Sequence, residues 1–314
     1  MNSTAIAASG LRKSYGDKKV LDGIDLTVEA GTIFSLLGPN GAGKTTTVNV
    51  LTTLLRADAG TARVAGHDLT TQTRAVRKAI GVTGQFAAVD DLLTGAENLR
   101  LMADLHRLRG AAGRRVVADL LERFDLVDAA NKQAGSYSGG MRRKLDLAMT
   151  LVTKPRIIFL DEPTTGLDPR SRRTVWDMVR ELTGAGVTIF LTTQYLEEAD
   201  QLADKIAVLD QGSIVAEGTA SELKRRIPGS HIRFRFADST ELAAAARAVA
   251  GSTPDADDLT LSVPGDGGTR NLRALMDQLA AHHLEADEVS IHTPDLDDVF
   301  LALTGRATQE AETR

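Results

Sequence analysis

Short apolar runs with interleaved polar positions fill the first part of the chain. Between Thr4 and Leu37 they are broken at Tyr15-Gly16-Asp17 and at Glu29-Ala30-Gly31, which predicts early strands separated by turns. The last run, Thr32–Leu37, is almost wholly apolar and reads as a buried strand. The period then changes: Val48, Leu51 and Leu55 recur at helical spacing, predicting a helix over Lys44–Leu55. From Leu92 the pattern turns helical, with a capping-box spacing at Thr94-Gly-Ala-Glu97, apolar positions at Leu99, Met102 and Leu105, and a second helical run over Arg114–Leu126. Strands at Ile157–Leu160, Val187–Thr192 and Lys205–Leu209 alternate with helices, the pattern of a mostly parallel sheet covered by helices. Pro and Gly in Arg226-Ile-Pro-Gly-Ser230 mark a boundary. Beyond it, strand-like His231–Phe236, Leu259–Val263 and Ala286–His292 alternate with helical Glu241–Val249, Leu272–Leu279 and Pro294–Leu303, a compact α+β unit. Residues 307–314 read as a frayed tail.

Composition narrows the setting. With 314 residues, 42% hydrophobic and 25% charged, the chain can bury one large core and a small one. Its net charge of −5, from 37 basic and 42 acidic residues, gives no overall pull toward nucleic acid. Zero cysteines exclude disulfides and any cysteine-held metal, which fits a reducing compartment. The first residues lack the basic start and apolar run of a signal peptide, and no stretch approaches the roughly 20 apolar residues of a membrane span. A role at a membrane therefore requires another chain to cross it.

The candidate chemistry lies between residues 38 and 194. In Gly38-Pro39-Asn40-Gly41-Ala42-Gly43-Lys44-Thr45-Thr46, the glycines let backbone N–H groups converge on a phosphate at a helix N-terminus. Lys44 then reaches the β- and γ-phosphates and Thr45 holds magnesium. The apolar run Ile157–Leu160 delivers Asp161 to a strand end as a second magnesium ligand, with Glu162 as general base. Gln85 ends another strand, where an amide can touch both magnesium and the attacking water, and Tyr15 is placed to stack on adenine. Taken alone, each of these two is an ordinary surface residue. Ser138-Gly139-Gly140, followed by a helix, is a second anion cradle. One active site does not need two.

Other groups read as structural. Arg142-Arg143-Lys144 and Arg172-Arg173 are expected to be solvated helix faces, Asp295, Asp297 and Asp298 a charged helix start, and adjacent His282 and His283 a poor spacing for one metal. Leu296, Val299, Phe300 and Leu303 form one face of a docking helix.

The phosphate loop at 38–45, Tyr137-Ser-Gly-Gly-Met141, Ile157–Pro163 and Gly166-Leu-Asp168 together resemble the ATP-binding cassette (ABC) family over residues 4 to about 225. The resemblance implies an α/β fold: a phosphate-loop NTPase core with an antiparallel β subdomain and a helical subdomain at about 92–150, all within 1–226. A small α+β domain at 227–306 follows. It also implies a homodimer binding ATP and magnesium, in which Ser138 and Gly140 of one copy close on the phosphates held by Lys44 of the other. Asp168 would lie at the dimer seam, and Gln85 would link the nucleotide to a membrane partner. Three positions depart from the family pattern, the first being Tyr137, where the signature usually begins with Leu. Met141 stands where the signature usually has Gln, and Gln194 where the family usually has a His on the γ-phosphate; Gln can donate a hydrogen bond but carries no proton. Thr193-Gln-Tyr-Leu-Glu-Glu-Ala199, the stretch around Met141 and the terminal Leu296–Gly305 resemble the daunorubicin-resistance branch of antibiotic and lipid exporters. The implied partner is an integral membrane permease of the ABC-2 type, at the cytoplasmic face of the membrane, with no nucleic acid. A non-transport cassette ATPase and an ATP-sensing regulator are the alternatives. The stretch from Lys44 to Ser138 is too short for the long inserts of repair and chromosome members, and Gln194 gives the sensor its weight.

Overall fold

The computed structural model describes residues 3–84, 88–225, 231–265, 268–292 and 295–304. The chain divides into two compact units, 1–220 and 221–314.

The first unit opens with a hairpin of β1 (Thr4–Tyr15) and β2 (Lys18–Glu29), turning at Gly16 with φ 57°. β3 (Ile33–Leu37), a glycine turn and α1 (Lys44–Leu51) follow. The helix stops a turn short of Leu55, because Thr52 caps it and Thr53 adopts φ 65°. β4 (Ala59–Val64) and β5 (His67–Asp68) return to the hairpin and complete an antiparallel sheet, β2-β1-β4-β5. Small residues around Gly60 give these strands too little alternation to be read from sequence. α2 (Thr73–Ala79) runs into β6 (Ile80–Thr83). The helical part comprises α3 (Gly95–Leu105), α4 (Gly110–Arg123) and α5 (Gly139–Leu151). Thr94 and Glu97 do form a capping box on α3, but Leu105 is exposed and Ala103 joins Leu99 in the core instead.

The unit continues through β7 (Ile157–Asp161), α6 (Pro169–Gly184), β8 (Thr188–Thr193), α7 (Leu196–Leu202), β9 (Lys205–Asp210) and β10 (Ser213–Gly218). α8 (Ala220–Arg225) crosses the division between the units. The core sheet runs β10-β9-β3-β8-β7-β6, parallel throughout except for β10. Every residue of β3, β7 and β8 is buried, as both faces of the sheet are covered. The pleat sends alternate residues into two cores. Ile158, Leu160, Ile189 and Leu191 pack with the helical part, whereas Phe34, Phe159 and Phe190 stack toward the antiparallel sheet, with ring centroids 5.3 to 5.5 Å apart. In register, Leu37 pairs with Thr193 and Asp161 with Thr192. The carboxyl ends of three parallel strands therefore finish side by side, where α/β sheets place their ligands.

The second unit contains β11 (His231–Arg235), α9 (Ser239–Ala248), β12 (Thr253–Asp255), β13 (Thr260–Pro264), α10 (Thr269–Ala281), β14 (Glu288–His292) and α11 (Leu296–Thr304). Its antiparallel sheet, β12-β13-β11-β14, packs Ile232, Phe234, Leu261 and Val263 against Leu242 and Leu275 of the helices. At the start of α11, the Asp295 and Asp298 carboxylates accept each other's backbone N–H at 2.9 and 3.0 Å, so these acids act as caps. Leu296 and Val299 are buried.

Candidate functional site

The turn between β3 and α1 can be built only with glycines. Gly41 and Gly43 hold φ 81° and 113°, and a Cβ on Gly43 would lie 2.8 Å from the Val20 carbonyl; one on Gly38 would lie 2.3 Å from that of Leu209. Gly38 N donates to the Thr193 carbonyl at 3.2 Å, fixing the loop to the end of β8. Lys44 is buried at 4% exposure, and its ammonium is fully engaged by the Gly38 carbonyl at 2.8 Å, the Pro39 carbonyl at 3.1 Å and Glu162 Oε1 at 3.1 Å.

β7 delivers two carboxylates in succession, and a turn of the backbone separates them. Asp161 Oδ1 accepts the Thr192 hydroxyl at 2.5 Å. Glu162 sits at φ 50°, its N–H donating to the Thr192 carbonyl at 3.1 Å, and its side chain swings to Lys44. A cleft of 350 Å³ brings together Tyr15, Asn40, Gly41, Lys44, Thr45 and Glu162. The Tyr15 ring is half exposed at its mouth, with Lys13 Nζ 5.8 Å from the ring centre. A larger cavity of 530 Å³ opens beside Ile157 and Thr188, the opposite ends of β7 and β8, and takes no part in this site.

Gln194 follows β8 directly, one residue beyond the carbonyl that holds Gly38. Gln85 lies outside the described residues; its neighbour Gly84 follows β6.

Ser138 caps α5, its hydroxyl oxygen accepting the Met141 N–H at 3.3 Å, which leaves the Gly139 and Gly140 N–H groups at the open helix end. Met141 packs its side chain on the core, and Tyr137 donates to the Ala129 carbonyl at 2.7 Å, so both departures from the usual signature have structural uses. Burial pushes the Tyr137 hydroxyl pKa up. Leu167 lies against this helix end, where a Cβ on Gly139 would meet its Cδ2 at 3.4 Å and one on Gly140 would meet Ser171 Oγ at 2.9 Å; Asp168 caps α6 by accepting the Arg170 and Ser171 N–H groups and the Ser171 hydroxyl. That hydroxyl, with the N–H groups, holds the Asp168 pKa below the usual range. Ser138, Gly139 and Gly140 do not line the cleft of their own chain's Lys44.

Some functional neighbours were not legible. Arg143 is buried, which corrects the solvated-face expectation for that residue, and Arg172 stacks on Tyr195 at 4.8 Å. Glu198 is wholly buried and accepts the Trp176 indole N–H at 3.0 Å. Its pKa is raised by burial, opposed by the Thr193, Trp176 and Thr164 donors. In the pair Glu197-Glu198, only the helical spacing shared with Ala199 and Leu202 marks the second as the inward one.

The donors present suit magnesium held together with a triphosphate. Thr45 and Asp161 offer hard oxygens beside a cradle that admits no side chain. Among the described residues no group of three or more His, Cys, Asp or Glu could hold a metal by itself. No described helix is long and apolar enough to cross a membrane.

The chain is similar to known proteins along its whole length. The ABC transporter family profile matches residues 21–165. The chain is 51% identical to the daunorubicin resistance ATP-binding protein DrrA3 of Streptomyces coeruleorubidus, over 99% of this chain and all of that one. It is 45% identical to a doxorubicin resistance ATP-binding protein of Mycobacterium tuberculosis, over 97% and 95% of the two chains. Among solved structures, the ATP binding subunit of an ABC transporter superposes with a TM-score of 0.63 at 27% identity, covering 71% of this chain and 93% of that one. Likeness of that extent, spread along the whole length, makes the chain an ATP-binding and ATP-hydrolysing subunit of the ABC transporter family, on its daunorubicin-resistance branch.

Proposed function

We propose that two copies of this chain form a pair of shared ATP sites and drive export of a drug, antibiotic or lipid through a separately encoded ABC-2 type membrane permease, at the cytoplasmic face of the membrane. The observation that carries the two-copy site is the separation of two anion cradles within one chain. Among the residues that line the cleft of Lys44 there is neither Ser138 nor any residue of α5, and Ser138 caps the open N-terminus of that helix elsewhere in the chain. Head-to-tail pairing of copies makes each cradle complete the other. The cargo class rests on relatives named for daunorubicin and doxorubicin resistance and, at 36% identity, for Nod factor export.

In this scheme the phosphate-loop N–H groups and Lys44 bind the β- and γ-phosphates, while Thr45, Asp161 and Gln85 would hold magnesium, which neutralises charge developing on the transferred phosphoryl group. Tyr15 stacks on the base at the cleft mouth. Glu162 takes the proton of the attacking water and Gln194 orients that water by a hydrogen bond. Ser138 and Gly140 of the other copy supply donors to the γ-phosphate, and Asp168 sits at the seam.

Replacing Ser138 by Arg tests the shared site. ATP affinity of the full chain is expected to stay within about twofold, since Lys44 is untouched, while turnover falls at least about a hundredfold as the donors are displaced from the transition state. Unchanged turnover in the Ser138→Arg protein would falsify the two-copy site. At Gln194, replacement by Ala is expected to lower turnover about tenfold, the worth of one hydrogen bond to the attacking water, and replacement by His to keep or raise it. Steady-state phosphate release decides: no change in either variant removes Gln194 from the reaction.

A further inference from the structure

Helix α5 carries a polar seam on a face otherwise packed in the core. Arg143, Asp146 and Thr150 follow one another at spacings of three and four, so they share one side of the helix, and all three are buried. Arg143 Nη1 donates to Asp146 Oδ2 at 2.9 Å and to the Gly84 carbonyl at 3.3 Å. Asp146 Oδ1 accepts the Ala88 N–H at 3.1 Å. One turn further, the Thr150 and Thr83 hydroxyls are 3.0 Å apart, and a Cβ on Gly81 would meet Thr150 Cγ2 at 2.3 Å. These contacts tie one side of the helix to β6, to Gly84 and to Ala88.

This seam is a poor source of stability. Replacing both members of a buried ion pair by apolar residues is commonly neutral or stabilising, and the best attested use of such a pair is to fix register. Among the described residues, Arg143 Nε and Nη2 have no hydrogen-bond partner, which weakens the stability case further. Burial lowers the Arg143 pKa and raises that of Asp146, against their mutual attraction; Arg143 also lies in the field of Glu198 and Asp161.

We infer that Arg143 and Asp146 are positioning residues that set the register of α5, and with it Ser138 at its N-terminus, against Gly84 and Ala88. The inference rests on the two-copy site proposed above. A slip of one residue along the helix axis moves Ser138 by about 1.5 Å, enough to break a hydrogen bond to a phosphate. Neither residue is among those that line the same chain's cleft around Lys44.

The test uses the full chain carrying Glu162→Gln, with ATP-dependent dimer formation read by size-exclusion chromatography and affinity read by titration with a fluorescent ATP analogue. Adding R143M/D146L is expected to leave affinity within about twofold and to raise the ATP concentration for half-maximal dimer at least about tenfold. Asp146→Asn keeps an acceptor for the Ala88 N–H but turns an amide NH2 toward Arg143 Nη1 and leaves that charge without its partner, so it should raise the ATP concentration for half-maximal dimer by at least about threefold, and a parent-like Asp146→Asn protein overturns the inference. Dimer formation by R143M/D146L at the parent's ATP concentration overturns the inference and leaves the two-copy site standing. A Glu162→Gln parent that stays monomeric overturns the two-copy site itself. Equal loss of nucleotide affinity and thermal stability in R143M/D146L also overturns the inference, because the pair then serves the whole fold.

Discussion

Glu162→Gln is expected to lower ATP turnover by about 10²–10⁴-fold, the usual contribution of a positioned general base, while ATP binding holds or tightens. The second half of that expectation comes from the geometry of Lys44. Its ammonium is held by Glu162 Oε1 at 3.1 Å as well as by two loop carbonyls, in a setting where both side chains are under a tenth exposed. A triphosphate must draw Lys44 away from that carboxylate. A neutral amide still accepts one hydrogen bond from Lys44 but lacks the charge that competes with phosphate, so less interaction is given up on binding. Single-turnover hydrolysis and equilibrium nucleotide titration separate the two effects. A variant that binds ATP less tightly than the parent would show that the pair with Lys44 helps to build the phosphate site, and a variant that still turns over would remove Glu162 as the base.

How much of this was legible depends on where the chemistry meets the backbone. The phosphate loop could be read because its function is conformational: φ 81° and 113° at Gly41 and Gly43, and the carbonyls that a Cβ on Gly38 or Gly43 would strike, demand glycine at those positions. Asp161 and Glu162 could be placed because β7 is buried on both faces, which leaves an uninterrupted apolar run before them. The capping box on α3 is likewise a local bargain between Thr94 and Glu97. Side chains whose partners lie on other elements were not legible. Arg143 looks like any surface arginine in Arg142-Arg143-Lys144, yet it alone of the three faces Gly84. Glu198 resembles its neighbour Glu197, yet Trp176 waits for it 22 residues earlier in the chain. Thr192, which donates to Asp161 and receives the Glu162 N–H, is one of two adjacent threonines at the end of β8, and only the register of β7 on β8 selects it. The one hint available was the period. Arg143, Asp146 and Thr150 interrupt an apolar helix at its own spacing, which is the pattern of a polar seam rather than of a solvated face.

Lys44→Met is expected to abolish measurable ATP binding and, separately, to destabilise the folded chain by about 3–5 kcal/mol, the usual penalty for leaving one member of a buried ion pair without its partner. At 4% and 8% exposure, neither Lys44 nor Glu162 can turn to bulk water for compensation. The Gly38 and Pro39 carbonyls lose their donor in the same step. A double-mutant cycle distinguishes the pair from the rest of the loop. If the penalty comes from the stranded carboxylate, adding Glu162→Gln to Lys44→Met should recover most of the lost stability, because an amide tolerates burial without a cation. Nucleotide binding should not recover, because the phosphates have lost the ammonium whichever residue stands at 162. Thermal melting and ATP titration on the four proteins of the cycle measure both. A Lys44→Met chain that melts with the wild type would mean that Glu162 finds another donor or protonates, and the ion pair would then contribute nothing to holding the phosphate loop against β7.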